Sequence, residues 1–180
     1  MEDVIYLVMG KSGAGKDTVV NELCRKYGMV RLNSYTTRPC RGPGDLHEFV
    51  DSYSEWVHNN PNDPAVAYTF FAGNHYWASQ SQVDASDLSV IDPDGVEYFR
   101  HHYNGCKAIR AIYIDVPWYI RLRRMRQRGD TWTAAIRRLL HDHRKFAGAL
   151  RQADFVISNN NLFECVLEIA ILTGKLGGMV

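Results

Sequence analysis

The chain is poor in the features that would assign it to an export, membrane or nucleic-acid class. Its four cysteines, Cys24, Cys40, Cys106 and Cys165, show no C-x-x-C spacing, so they read as separate thiols in a reducing cytosol and not as a disulfide frame or a metal site. No apolar stretch approaches the ~20 residues of a membrane span, and no signal sequence is expected ahead of Val4, so a cytoplasmic location with no membrane partner follows. Excess charge is also lacking. With 21 basic and 20 acidic side chains no overall field draws in a nucleic acid, and any bound anion must be held by local clusters. Repeats and low-complexity tracts are absent. What remains is 180 residues, 46% of them hydrophobic, enough for one domain with a real core and small insertions. The sequence leaves open whether it works as a monomer or a homodimer.

The most informative segment follows the apolar run Val4 to Met9. Gly10-Lys11-Ser12-Gly13-Ala14-Gly15-Lys16 would turn a buried strand into a helix through glycines whose backbone N–H groups converge. The helix dipole and Lys16 would then favour polyphosphate. Asp17 and Thr18 come next, Asp17 standing where this loop usually carries the Ser or Thr that ligates magnesium. A carboxylate can hold Mg2+ directly or through water.

Apolar runs at Val4–Met9, Leu88–Ile91, Ala108–Ile114 and Phe155–Ile157 alternate with helical stretches near Thr18–Tyr27, Gly95–Tyr103, Pro117–Arg128, Thr133–Ala149 and Leu162–Thr173. That alternation implies an α/β fold with a parallel sheet covered on both faces. From Ser34 to Asp87 the texture changes to Ser, Thr, Pro, Gly, Asn and aromatics with short alternating pieces such as Ala65–Phe71, an inserted, strand-rich lobe. Five arginines from Arg121 to Arg128 carry no interleaved acid. Such a surface repels itself unless an anion lies against it, which suggests a phosphate-facing helical lid.

Ser34-Tyr35-Thr36-Thr37-Arg38-Pro39-Cys40-Arg41, then Gly44-Asp45 and His47-Glu48-Phe49-Val50, open the inserted lobe. Two guanidiniums three residues apart can grip one phosphate. These segments, with Gly73-Asn74-His75-Tyr76 and Val156-Ile157-Ser158-Asn159, resemble the guanylate kinase family over essentially the whole chain. The resemblance implies a P-loop NTPase three-layer fold, with a kinase core at 1–33 and 88–180, a lid at about 121–145 and an acceptor-binding lobe at 34–87. It implies ATP-dependent phosphorylation of a nucleoside monophosphate, GMP or dGMP first, with Mg2+. Carried over by position, Gly10 to Thr18 and Asn159 would bind ATP, and Lys16, Arg124, Arg128 and Arg138 would be catalytic. Ser34, Arg38, Arg41, His47, Tyr76, Ser79 and Asp92 would bind the acceptor, and Asp17, Asp92 and Asp94 would serve the metal.

The pattern fails where the family reads guanine. Its glutamate falls on Ala67 and its Ser/Thr on Ala78, with Ser79 one step on, and alanine cannot answer the donor edge of guanine. Glu48 or Glu55 would have to stand in. Two other readings follow: a sugar-phosphate kinase similar to ribose 1,5-bisphosphate phosphokinase, whose loop also reads G-K-D, and a non-catalytic guanylate-kinase-like binding module.

Overall fold

In the computed structural model, which describes residues 3–42, 45–71 and 73–178, the apolar runs become one parallel sheet. Strand β1 (Val4–Met9) leads into helix α1 (Lys16–Tyr27). The inserted stretch forms β2 (Tyr35–Thr36), β3 (Glu48–Phe49), α2 (Tyr53–Asn59), β4 (Ala65–Phe71), β5 (Asn74–Ser79) and α3 (Gln80–Asp84). The chain then returns through β6 (Leu88–Val90), α4 (Pro93–His102), β7 (Ala108–Asp115), α5 (Trp118–Gln127), α6 (Trp132–Lys145), α7 (Ala149–Gln152), β8 (Phe155–Ser158) and α8 (Leu162–Leu172). Gly44 of the second motif lies outside the described residues.

The main sheet has the order β6-β1-β7-β8, every pair parallel. Its central strands β1 and β7 are largely buried on both faces, whereas the edge strand β8 exposes Val156, and the period of two sorts the buried side chains between two cores. Val8, Ile112 and Ile114 pack with Val19, Leu23 and Ile169 beneath α1 and α8. Ile5, Leu7, Met9 and Tyr113 face the other way, into a core with Val96 and Phe99 of α4. That second core also takes in Val66, Ala67 and Ala78 of the small sheet, ordered β3-β2-β5-β4. The two sheets therefore share packing through α4, where Tyr68 of β4 lies 6.0 Å from Tyr98, centroid to centroid. An aromatic cluster of Tyr35, Tyr53, Trp56 and Trp77, with centroids 5.0–5.5 Å apart, holds α2 to the small sheet.

Helix Thr133–Ala149 of the sequence reading is two helices, because α6 stops at Lys145 and Gly148 precedes the single turn of α7. Glycine is costly inside a helix, and Phe146 turns into the core beside Tyr113, 6.3 Å away. Helices α2 and α3 were not foreseen. Their signals are local: Ser52 and Ser79 cap them, Ser79 in a reciprocal capping box with Gln82.

Candidate functional site

The site lies at the carboxyl edge of the parallel sheet, where β1, β6 and β8 deliver the glycine loop, Asp92 and Asn159. Gly13 and Gly15 adopt φ of 77° and 86°, a region open to glycine at no cost. A Cβ on Gly13 would also stand 2.7 Å from the carbonyl oxygen of Arg121, so the loop is pressed against the start of α5. Lys16 folds back and donates to the Gly10 carbonyl at 2.6 Å. Burial pushes its ammonium below the ordinary lysine value, against the pull of Asp17, Asp142 and Asp92.

A cavity of about 670 Å3 opens over the loop, lined by Gly13, Gly15, Lys16 and Thr18 on one side and by Arg124, Arg128, Arg138 and Asn159 on the other. Ser12 and Asp17 also border it. Gly10, Lys11 and Ala14 stand behind as supports. Lys11 O accepts from Ala14 N at 3.0 Å, and Ala14 O accepts from Asn159 Nδ2 at 2.7 Å and from Arg124 Nη1 at 3.4 Å. Arg124 is further fixed by donating to Asn159 O at 2.8 Å. Asn159 is 2% exposed, yet its Oδ1 has no hydrogen-bond partner. A buried amide oxygen left unanswered is an acceptor waiting for a donor.

Not every arginine of the charged run faces this cavity. Arg121 is 6% exposed and turns inward, donating to Val116 O at 3.1 Å and to Asp142 Oδ2 at 3.3 Å. Asp142, itself 4% exposed, accepts from Ser12 N at 2.7 Å and from Ser12 Oγ at 3.2 Å. One carboxylate of α6 thus ties α5 and α6 to the phosphate loop. Arg126 leaves in the other direction, its guanidinium 4.8 Å from the ring centre of Trp132. Arg128 and Arg138 stay exposed beside Asp130, at 2.8 and 3.9 Å.

A second cleft, about 350 Å3, runs from Lys16 into the inserted lobe and is lined there by Ser34, Arg38, Arg41, His47 and Tyr76. Arg38 reaches it already paired. Its fork meets Asp45 at 2.8 and 2.9 Å, and Arg41 N donates to the same carboxylate at 3.0 Å. The Arg38 guanidinium holds the Asp45 carboxyl well below the usual carboxylate range. Ser34 Oγ lies 3.0 Å from His47 Nδ1, and the His47 ring meets Tyr76 edge-on at 5.6 Å. Burial pushes the His47 pKa down, which favours the neutral ring.

No family model matches the chain. Curated relatives do: guanylate kinase of Synechococcus sp. is 30% identical over 179 residues, spanning 93% of this chain and 81% of the relative. The chain belongs to the guanylate kinase family. Guanylate kinase of Alkalilimnicola ehrlichii is likewise 30% identical, over 97% of this chain and 90% of its own. Among solved structures, guanylate kinase from Anaplasma phagocytophilum superposes with a TM-score of 0.60 at 20% identity, covering 99% of this chain and 88% of that one. Shikimate kinase from Bacteroides thetaiotaomicron gives 0.50 at 15% identity, over 95% and 98%. Both neighbours are P-loop kinases in fold.

Within this guanylate kinase family frame, three sequence expectations meet a different environment. Ser79 does not line the acceptor cleft: it is fully buried, and its Oγ accepts from Gln82 N at 3.3 Å as the cap of α3. Asp92 does line it, but Oδ1 accepts from Gly95 N at 2.8 Å and Oδ2 from Lys145 at 2.6 Å, with Asp94 3.8 Å from the same ammonium. Asp17 Oδ1 accepts from Arg31 at 2.7 Å. Among the described residues no three acidic, His or Cys side chains cluster as a metal site. Neither stand-in for the missing glutamate reaches the cleft: Glu48 is exposed and takes the Gln82 amide at 2.9 Å, and Glu55 is exposed on α2. Asp142 and Lys145 were not foreseen. The available signal was an acid isolated among His141, His143, Arg144 and Lys145.

Proposed function

We propose that this chain transfers the γ-phosphoryl group of ATP to a nucleoside monophosphate, with GMP and dGMP as the acceptors its relatives' name points to. The observation that carries this reading is that Lys16 borders both cavities, one over the glycine loop and one reaching Arg38 and Arg41. Two anions held there would lie on either side of one ammonium. An acceptor phosphate oxygen would bond to the γ-phosphorus as the bond to the β,γ-bridging oxygen breaks, leaving ADP. No general base is needed, because the acceptor is already an anion, and catalysis rests on position and charge.

In this reading the loop amides and Lys16 hold the donor phosphates, and Asn159 Oδ1 accepts from the adenine amine. Arg124, Arg128 and Arg138 neutralise the moving group. Arg38, Arg41, Tyr76, His47 and Ser34 hold the acceptor phosphate, with Arg38 shared between it and Asp45. The residues fit a magnesium that keeps most of its ligands from phosphate and water. Asp17, beside Lys16 and with Oδ1 on Arg31, would hold it, whereas Asp92 already carries a donor on each oxygen. Bound there, the metal would neutralise charge on the phosphates. The segment between Arg121 and Lys145 would act as the lid, the 34–87 lobe as the acceptor-binding unit, and the protein would work in the cytoplasm.

A sugar phosphate fits less well, because Ala67, Ala78, Val90, Ile91 and Phe146 make much of the acceptor cleft apolar and leave few partners for sugar hydroxyls. Retention of Lys16 in two cavities argues against a module without turnover. The test is ADP release by the folded protein with magnesium and ATP across the nucleoside monophosphates. Turnover with at least one is expected, and none with any would reject the reading.

A further inference from the structure

The acceptor cleft has two unlike ends. Arg38, Arg41, His47 and Tyr76 make one end cationic and polar, whereas Ala67, Ala78, Leu32, Val90, Ile91 and Phe146 make the other mainly apolar, with Thr69, Ser89 and Asp92 as polar groups among the remaining lining residues. The floor of that apolar end is set by register. Ala67 pairs directly with Ala78, and Thr69 with Tyr76, across antiparallel β4 and β5, so all four side chains share one face. Ala67 and Ala78 are 9% and 1% exposed, and both line the cleft. The register shifts between Ala65 and Ala67, and neither Ala65 nor Val66 is among the residues that line the cleft.

Guanine placed against this floor would bury an N1–H and an N2 amine. Among the described residues the only acid that lines the cleft is Asp92, whose oxygens already hold the Gly95 amide and the Lys145 ammonium. The hydroxyl of Tyr68 is also engaged, 2.8 Å from His75 Nδ1. Each unanswered donor costs about tenfold in affinity. The same floor rewards an apolar edge. A 5-methylpyrimidine offers a methyl group to the two alanines and buries one ring N–H, where guanine buries an N1–H and an N2 amine.

Resting on the kinase reading above, we propose that the acceptor is chosen by its phosphate and by apolar contact with its base, so that a 5-methylpyrimidine monophosphate is a substrate on a par with GMP. The chemical step is unchanged: the γ-phosphoryl group passes to an oxygen of the acceptor phosphate and ADP leaves.

The full chain, with ATP and magnesium, is assayed for ADP release with GMP, dGMP, dTMP and dUMP, and kcat/KM is compared. Expected are values for dTMP and GMP within about tenfold, and dTMP ahead of dUMP by about fourfold, the worth of one buried methyl. A preference for GMP over dTMP beyond a hundredfold would overturn the proposal and leave the kinase reading intact. No turnover with any acceptor would overturn both. Ala67→Gln restores an amide oxygen at the floor and is expected to raise the GMP to dTMP ratio about tenfold. An unchanged ratio in a variant with wild-type thermal stability would overturn the assignment of Ala67 to the base end. Protection in a thermal melt gives an independent reading without chemistry: similar shifts with GMP and dTMP are expected, and protection by GMP alone would overturn the proposal.

Discussion

The two proposed anion cradles are built from different materials. Over the glycine loop the donors are backbone amides, shaped by Gly13 and Gly15 and backed by the buried strand β1. In the inserted lobe they are side chains, Arg38, Arg41, Tyr76 and His47, on a small sheet held by aromatic packing. A backbone cradle has almost no freedom to change its ligand, because its geometry is the fold itself. A side-chain cradle can keep its phosphate and lose its base, and on the proposal above the paired Ala67 and Ala78 are where this lobe would do so.

The largest effect should fall on the shared group. Lys16→Ala is expected to lower kcat by about two to three orders of magnitude, with circular dichroism and melting temperature little changed, because among the described residues its side chain donates to Gly10 O alone. If the variant loses its fold instead, Lys16 has a structural role and the cradles are not separable.

The second effect probes what holds the donor cradle in place. Asp142→Ala removes the partner of a buried guanidinium and of the Ser12 amide, and breaking such a pair costs about 3 kcal/mol or more in stability. Asp142→Asn keeps an oxygen for Ser12 N and should recover part of that loss. Among Asn variants that fold, a raised KM for ATP with an unchanged acceptor KM would mark the latch as a support of the donor side alone. Equal effects on both would mean that the two cradles move together.

These residues also show how far the sequence could be read. The glycine loop and the four core strands were legible because their signals are local: spacing, apolar runs and the turn to a helix. Asp142 was not, since its partner Ser12 lies 130 residues away and the sole local hint is that it stands as an acid among basic neighbours in its own helix. By sequence the arginine run reads as one phosphate-facing surface, whereas helical periodicity and long-range partners divide it between Asp142, Trp132 and the cavity. The identity of Arg38 as a cleft residue was legible from its motif. That its fork is held by Asp45 depends on the loop between them, which no pattern specifies.

Arg38→Ala should raise the acceptor KM about tenfold to a hundredfold, the worth of a charge-assisted hydrogen bond, and change the KM of ATP little. An equal rise in both would break the division into donor and acceptor sides. The same pair predicts a pH response. Asp45 has a folded pKa depressed below its ordinary 3.8, so its contribution is complete above that value and is lost as pH falls toward the folded pKa. His47 is depressed too, so protonation of the unfolded chain begins to weaken the fold below its ordinary 6.5. A two-step acid loss of stability is expected. His47→Gln should remove the upper step in an acid melt series, and a curve with the same two steps in that variant would contradict the assignment.

The smallest effect separates a residue near the acceptor lobe from one that serves it. Ser79 is fully buried, and its hydroxyl caps α3 through Gln82 N while Gln82 Oε1 accepts from Ser79 N at 3.3 Å. Loss of a cap of this kind costs about 1 kcal/mol, which the melting temperature of Ser79→Ala would report as a drop of a few degrees. The acceptor KM should stay within twofold of wild type, because the cleft is bounded by Ala78 and not by its neighbour. A KM that rises tenfold with little change in melting temperature would move Ser79 back into the acceptor site, and with it a hydroxyl able to read a base. The apolar end of the cleft would then lose its claim to choose the acceptor by shape alone.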